Sequence, residues 1–573
     1  MSKTKENQKS CIFSFKFFYL FSITSILAIV LTNYFQLENK YLDHFSWEIF
    51  SLSYLQLLYS KLAESTKTPN KTKILLNAQL VNIFNDLVTI ADQPLNDYKV
   101  AVGFGSCVDI FTDAVPLFDY LKFRAPKNND EVEHYNVIDN SDQLTSGFTY
   151  FFTKGAASER YISNKQLFDQ LVDTVMKNEE EILIKTIKKP KVALGGNAPV
   201  MANRFALELK KIEGYQGKIL LAAQQSHEFD DYEWMDELVE FTGPRTEVAD
   251  RHLILEYKTN EKYDNNRWVS PRANRFIVHS DNHNPYLTGI DQNFHQRFLD
   301  IKPNLLVISG LQMMDNIPYT SQERKNLIAK IANFCQTHRN IKTHFELASF
   351  VDENLVTELI QEIIPYSDSI GCNEQELPNI YAALTGKELI KVADSMPKVS
   401  NILEILRKTF QILNDPKNPI KPKNINSSEK SSSSNSNNFV LRPTSRIHVH
   451  TLAYQAIIQI DDQKTDQMWP NIEQAAAKAT VTAIRHICQN DNVTYKSAKI
   501  LLDNSFRIST EESNQRRVFI KEGEPVTCWT EDDPVIGKRI KICLAIGLVC
   551  TEVKQTAGGG DNISAGALAA QLP

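Results

Sequence analysis

An alternation restricts this chain more than any other feature. From residue 218 onward, short apolar β-prone runs (218–223, 252–257, 305–309, 343–347, 367–371 and 446–452) are separated by stretches with helical periodicity. Two more strand-like runs, 98–104 and 191–194, precede them. Strands joined by crossover helices pair in parallel, so the rhythm predicts an α/β fold: a mostly parallel sheet with helices on both faces. Ligands of such sheets gather at the carboxyl ends of the strands. The glycine turns and acidic clusters of this chain fall at or just after those ends. Residues 195–198 form a turn, and Pro199 is placed at the first position of a helix reaching about residue 211, where proline is tolerated. The Asn/Ser-rich stretch 424–438 can bury nothing and is read as a disordered surface insertion.

The most informative turn is Gly558-Gly559-Gly560-Asp561. A β-prone run, 542–553, comes before it, and small helix-compatible residues follow. Strand, glycine turn and helix N-terminus in that order make a cradle of backbone N–H groups suited to a phosphate. A carboxylate in that cradle repels phosphate at rest. Its chemical use is therefore to take a proton from an attacking hydroxyl. The bland alternative is an ordinary glycine-rich loop.

Two other acidic motifs end strands. Asn373 and Glu376 open a helix after the 367–371 run, three residues apart. That spacing makes a capping box, or else a carboxylate aimed at the ligand edge of the sheet, able to hold hydrated Mg²⁺. His344 and Glu346 share one face of the 343–347 strand. An acidic side chain in an apolar strand needs a partner, either a metal with its water shell or a nearby Lys or Arg.

Composition bounds the rest. The chain has 573 residues with a net charge of −6, which gives no general attraction to nucleic acid. Its eight cysteines are dispersed without a C-x-x-C pair, so no zinc site is indicated; one bridge among the last four is open in an oxidising compartment. Lys3, Lys5, Lys9 and Lys16 precede an uncharged stretch, 17–37, read as a signal peptide or a membrane anchor with the body translocated. Residues 38–96 are predicted to be helical. Asn70, Asn426, Asn492 and Asn562 each begin an N-x-S/T acceptor, and a glycan on Asn562 is incompatible with a phosphate cradle there.

Taken together and in this order, the motifs resemble the ADP-dependent sugar kinases of the ribokinase superfamily, most closely their eukaryotic glucokinase branch. His344-Phe345-Glu346 is similar to the family's H-x-E, Asn373 to Glu376 to its N-x-x-E, and Gly558 to Asp561 to the glycine motif that carries the catalytic aspartate. Stretches 252–257, 309–314 and 445–452 are also similar. The resemblance runs from about residue 100 to the C-terminus. It implies one kinase domain over 97–573, made of a large ribokinase-like part and a smaller β-rich lid from about 111–162 and 198–293. It implies Mg²⁺-dependent transfer from ADP to the 6-hydroxyl of D-glucose, giving glucose 6-phosphate and AMP. Asp561 would be the general base, and Glu346, Glu376 and Asp561 would place the metal directly or through water.

Nucleotide contacts are implied for Gly558, Gly559, Gly560, Asn373, Arg275 and His450, and sugar contacts for Asp109, Glu159, Asn197 and His252. Arg272 or Arg275 would add a positive contact on closure, or serve in an ion pair. Glucose and ADP are the expected partners of a monomer, and the endoplasmic reticulum or secretory pathway the expected compartment, with membrane contact only through the N-terminal segment. Two positions depart from the family: Lys154 replaces a glycine, and Gly105 stands where asparagine is usual. The alternatives are an ADP-dependent phosphofructokinase, an ATP-dependent relative, and a tethered sugar-binding protein without catalysis.

Overall fold

The computed structural model describes residues 71–90, 98–177, 189–229, 236–388, 398–420, 443–462, 469–500, 518 and 524–572, positions 316, 351, 495 and 556 excepted. The chain divides into two compact units, Met1–Lys73 and Ile74–Pro573, and all the strands belong to the second. The N-terminal stretch 1–37 and the insertion 424–438 lie outside the described residues. Of the predicted helical region, the described part is one helix, α1 (Lys71–Ile90). No helix among the described residues is long and apolar enough to cross a membrane.

In chain order the strands are β1 (Val100–Gly103), β2 (Cys107–Asp113), β3 (Val137–Ile138), β4 (Ser158–Ile162), β5 (Lys191–Gly195), β6 (Ile219–Ala222), β7 (Val239–Phe241), β8 (Asp250–Tyr257), β9 (Asn274–His279), β10 (Leu305–Ile308), β11 (Lys342–Glu346), β12 (Ser369–Cys372), β13 (Arg446–His450), β14 (Tyr454–Ile460), β15 (Val526–Asp533) and β16 (Lys538–Ile546). The helices that shape the core and the site are α2 (Ser141–Lys154), α3 (Asn197–Leu209), α4 (Glu376–Leu384), α5 (Ile472–Cys488) and α6 (Gly559–Ala570).

Ten strands form the large sheet, in the order β15-β16-β14-β13-β12-β11-β10-β1-β6-β7. From β7 to β13 every pairing is parallel, and β14, β16 and β15 continue it antiparallel. Its central strands are covered on both faces, which is why β1 and β10 read as unbroken apolar runs rather than alternating ones. One face packs on residues such as Phe84 of α1 and Ile331, and the other on Met201 and Phe205 of α3 and Leu568 of α6.

A second sheet of six strands, β3-β4-β9-β8-β2-β5, has its own core. α2 supplies Phe148, Phe151 and Phe152, a stripe at helical spacing that lies on this sheet. Asn140 caps α2, its side chain accepting from the N–H groups of Asp142 and Gln143. Gly155 ends it in the left-handed region, φ 58°, where glycine is favoured.

Four expectations are corrected. The second segment of the smaller lobe does not begin at 198: α3 packs on the large sheet and β6 and β7 belong to it, whereas the smaller sheet takes up β5 before that point and resumes at β8. The 252–257 run is therefore not a member of the parallel series. Its apolar sequence suits either sheet, and only pairing decides. Pro199 is the third residue of α3, not the first, though still in the first turn where its missing N–H has no partner to lose. The run 542–553 is broken at Gly547, whose Cβ would collide with the backbone of Ala453. The residues beyond, Leu548–Cys550, pair with Ala498–Ile500 in a separate ribbon. Two disulfides, Cys488–Cys550 and Cys528–Cys543, hold this C-terminal region, where the sequence had left one bridge open.

Phe148 is fully buried and meets Phe118, Tyr257, Tyr263 and Phe276 edge-on, with centroids 4.9–6.2 Å apart. Phe148→Ala is expected to cost about 3–5 kcal/mol. Denaturant unfolding followed by fluorescence measures it.

Candidate active site

Five parallel strands, β1 and β10 to β13, present adjacent carboxyl ends. A cavity of 560 Å³ opens where the segments after β1 and β10 meet the smaller sheet. Asp109, Glu159, Asn197, His252, Arg275, Gly558 and Asp561 all line it, so sequence-predicted residues from across the chain converge. Gly559, Gly560, Asn373, Glu346, Glu376 and His450 do not; they lie outside the cavity lining.

Asp561 stands in the first turn of α6, whose early N–H groups have no intrahelical acceptor. Asn197, the first residue of α3, donates from Nδ2 to Asp561 Oδ1 at 2.8 Å, and Gln312 Nε2 donates to Asn197 Oδ1 at 2.5 Å. This chain of donors fixes which way the Asn197 amide faces. Asn197, expected at the sugar, is thus committed to Asp561. Gln312 is a member of the site that sequence reasoning missed; a polar residue inside Ser309-Gly310-Leu311-Gln312-Met313-Met314 was its only signal. Burial, with the Glu346 charge adding to it, pushes the Asp561 carboxyl up to about 7, although the Asn197 hydrogen bond and His450 pull the other way.

The three glycines have different reasons. Gly558 has φ 68°, the left-handed turn into the helix. At Gly560 a Cβ would stand 2.9 Å from His450 Cε1, so only glycine lets that ring approach. Gly559 meets only ordinary contacts.

Glu346 is buried, and its partner is neither a lysine nor an arginine. His344 Nε2 lies 2.8 Å from one carboxylate oxygen and His450 Nε2 2.7 Å from the other. Burial alone would raise its pKa; the His450 charge and the two ring hydrogen bonds outweigh this and hold it well below the usual carboxylate range. Burial opposes the charged form of His450, but Glu346 first, then Glu376 and Asp561, lift it to about 9. All three predicted carboxylates therefore act on one imidazolium.

Asn373 and Glu376 form the capping box. Asn373 Oδ1 accepts from the N–H groups of Gln375 and Glu376 (2.8 and 2.9 Å), while Glu376 accepts from Asn373 N–H and Nδ2 (2.9 and 2.7 Å). Burial still pushes Glu376 up to about 8. Among the described residues, the groups spaced as direct ligands of one ion are Cys107, Asp109 and His252, and His252, His279 and Asp281. Glu346, Glu376 and Asp561 are not such a group.

On the smaller sheet, His252 Nδ1 lies 3.5 Å from Glu159 and Nε2 3.0 Å from Asp281. Burial disfavours the imidazolium, but Asp281 outweighs it and the His252 pKa stands well above its ordinary value. Burial pushes Asp109 up to about 6, and its carboxylate fills the space that a Cβ on Gly195 would take. Arg275 is opposite Glu256 in the β8–β9 register, close to the charges of Glu159 and Asp109, and lines the cavity together with Gly558 and Asp561. Arg272 donates from Nε to the Gly155 carbonyl at 2.6 Å, a structural bond. Asn562 is buried, bonded to Arg204 and to the Gly558 carbonyl, so its acceptor motif is closed to a glycan.

Comparison with known proteins agrees in extent. A sequence profile described as the ADP-specific phosphofructokinase/glucokinase conserved region matches residues 98–570. A Bos taurus protein named ADP-dependent glucokinase is 28% identical over 471 residues, 82% of this chain and 83% of its own. A Caenorhabditis elegans protein named probable ADP-dependent glucokinase is 26% identical over 474 residues, 82% and 84% of the two chains. The solved structure of an ADP-dependent kinase complex with fructose-6-phosphate and ADPβS matches with a TM-score of 0.57 at 16% identity, covering 86% of this chain and 97% of that one. That last likeness shows the fold.

Glu376, raised from 4.5 to about 8, and Asp561, raised from 3.8 to about 7, keep protons in the folded protein that the unfolded chain releases. Their contribution to stability is complete below about pH 4 and is lost as pH rises through 7 and 8. His450, raised from 6.5 to about 9, adds a loss of the same sign between those two values. The melting temperature of the ligand-free protein is expected to fall from about pH 6 to 9, and Glu376→Gln to flatten the fall. Circular dichroism melts across that range check it; a wild-type slope in the variant removes Glu376 as the cause.

Proposed function

The chain belongs to the ADP-specific phosphofructokinase/glucokinase family, and on that premise we propose that this kinase transfers the terminal phosphoryl group of ADP to the 6-hydroxyl of D-glucose, releasing glucose 6-phosphate and AMP. The choice of glucose rests on the bovine and nematode relatives and their names. The observation that carries the chemistry is Asp561: a carboxyl raised to about 7, at a helix start, on the cavity wall. A general base works best when its pKa lies near the operating pH. Asn197 holds one carboxylate oxygen, leaving the other to receive the sugar hydroxyl proton. The first-turn N–H groups of α6, with the His450 charge beneath Gly560, supply positive potential for phosphate oxygens. Asp109, Glu159 and His252 face the sugar, and the smaller sheet serves as the lid that excludes water.

The family's divalent cation, Mg²⁺, fits the donor set. Burial pushes Glu376 and Asp561 up and the neighbouring Glu346 adds to it, against the pull of His450; oxygen donors in such a place suit this hard ion. Glu346 and Glu376 already spend their oxygens on His344, His450 and Asn373, so with Asp561 they would hold its water shell. When bound, the ion neutralises charge on the nucleotide phosphates.

An assay crossing ADP or ATP with glucose or fructose 6-phosphate, with MgCl₂ present, is expected to select ADP and glucose. Asp561→Asn should keep both affinities by calorimetry while lowering turnover about 10²–10⁴-fold. Near-normal turnover would remove Asp561 from the base role.

The body is proposed to lie in the lumen of the secretory pathway. Two disulfides support that placement. Asn492 is exposed in its N-x-T motif whereas Asn562 is buried. Protein made by secretory expression should therefore lose mass on glycosidase treatment, the loss should vanish in Asn492→Gln apart from any share of Asn70 and Asn426, and a glycan on Asn562 would contradict the site.

A further inference from the structure

We propose that Asp281 is a positioning residue that presets the sugar wall of the cavity by holding His252 and Asn284 as one unit; this role rests on the glucokinase reading. Asp281 lies two residues past β9, is 5% exposed and is absent from the cavity lining, whereas His252 and Asn284 both line it. Asp281 Oδ2 lies 3.0 Å from His252 Nε2 and accepts from Asn284 Nδ2 at 2.8 Å. No step of the proposed phosphoryl transfer uses this carboxylate.

Its two bonds decide what the wall offers. With Nε2 held by a carboxylate, the His252 ring turns Nδ1 toward Glu159, 3.5 Å away, where it donates as the imidazolium. Donation from Nδ2 to Asp281 also fixes the Asn284 amide, whose Oδ1 accepts from Ser106 N–H at 2.9 Å. That oxygen stands 3.2 Å from where a Cβ of Gly105 would lie, and Gly105 has φ 83°. A side chain at 105 would compete for this space, so the glycine is what admits Asn284. The wall thus has an amide, supplied from another segment of the chain.

The loop that carries both residues is itself clamped. The Asp250 carboxylate accepts from the N–H groups of Asn282, His283 and Asn284 at 2.9, 3.0 and 2.8 Å. His279, the register partner of His252 across β8 and β9, closes the far side with Nδ1 3.4 Å from Asp281 Oδ1. Donors and acceptors held at fixed angles recognise the hydroxyls of a sugar.

Steady-state kinetics of the full chain test this. Asp281→Asn keeps the shape and removes the charge. It should raise the glucose KM about tenfold or more while kcat stays within about twofold, with the ADP KM unchanged and the melting temperature lowered by the loss of a buried ion pair. Asn284→Ala, the milder variant should the first not fold, should act in the same direction, and the double variant should do little more than the worse single one. An unchanged glucose KM in folded Asp281→Asn overturns the proposal, as does an equal loss of ADP affinity. So does a stoichiometric zinc ion in the purified protein whose removal reproduces the KM change, since a cation would then be orienting His252. Absence of glucose turnover by the unaltered enzyme would instead overturn the glucokinase reading.

Discussion

The buried carboxylate of Glu346 is the constraint on which the rest of the site depends. An unpaired carboxylate in such a place costs several kcal/mol, enough to be excluded from the fold. Here two imidazoles meet it, one on its own strand and one from β13. The pairing keeps His450 charged, and that ring then needs room. Gly560 supplies it on the helix side. On the sheet side, Gly371 lies beside Glu346 in the β11–β12 register, and a Cβ there would collide with the carboxylate and sit 2.8 Å from Ser564 Oγ. Two glycines far apart in sequence are thus required by one ion pair. Such a pair is weak evidence for net stability; its value lies in where it puts a positive charge, directly under the turn that begins α6.

The sequence already displayed the parts that depend on local pattern. Parallel strands show as apolar runs, and their carboxyl ends carry the turns, so the strands bearing Glu346, Asn373 and His450 were placed within a residue or two. Asp109, Glu159, Asn197 and His252 do meet at one cavity, as the family resemblance implied. What stayed hidden is whatever depends on pairing across long separations. The strand 252–257 looks the same whether it joins the large sheet or the small one, and α3 with β6 could not be assigned to a lobe before the sheet closed. For Glu346 the sequence suggests a metal with its water shell or a lysine or arginine, whereas in the fold two histidines take its oxygens. Gln312, Asp281 and Asn284 had no pattern at all: their importance is a matter of which amide or ring each one touches.

Asn373 and Glu376 show how two readings of one motif can both be useful. Geometrically the pair is a capping box, every side-chain oxygen engaged with the start of α4. A cap is ordinarily solvated, and its carboxylate stays ionised. This one is buried beside Glu346 and Glu374, so burial and like charge lift it to about 8. A device that begins a helix therefore also keeps its proton near neutrality, against the pull of the His450 imidazolium.

A similar balance of burial and charge sets the proton affinity of Asp561 near neutrality. Burial and Glu346 push the Asp561 pKa up, while Asn197 and His450 pull it down, and the balance comes to rest at about 7. Neither set alone would suffice. With only the downward influences the carboxylate would be ionised but a feeble proton acceptor; with only the upward ones it would be protonated and inert. On the proposed reading, the amide that fixes the carboxylate in space and the imidazolium that draws phosphate to the helix are the same groups that keep Asp561 ionisable. Geometry and proton affinity are set by one network, which is why the glycines, the amide of Asn197 and the buried histidines cannot be varied independently.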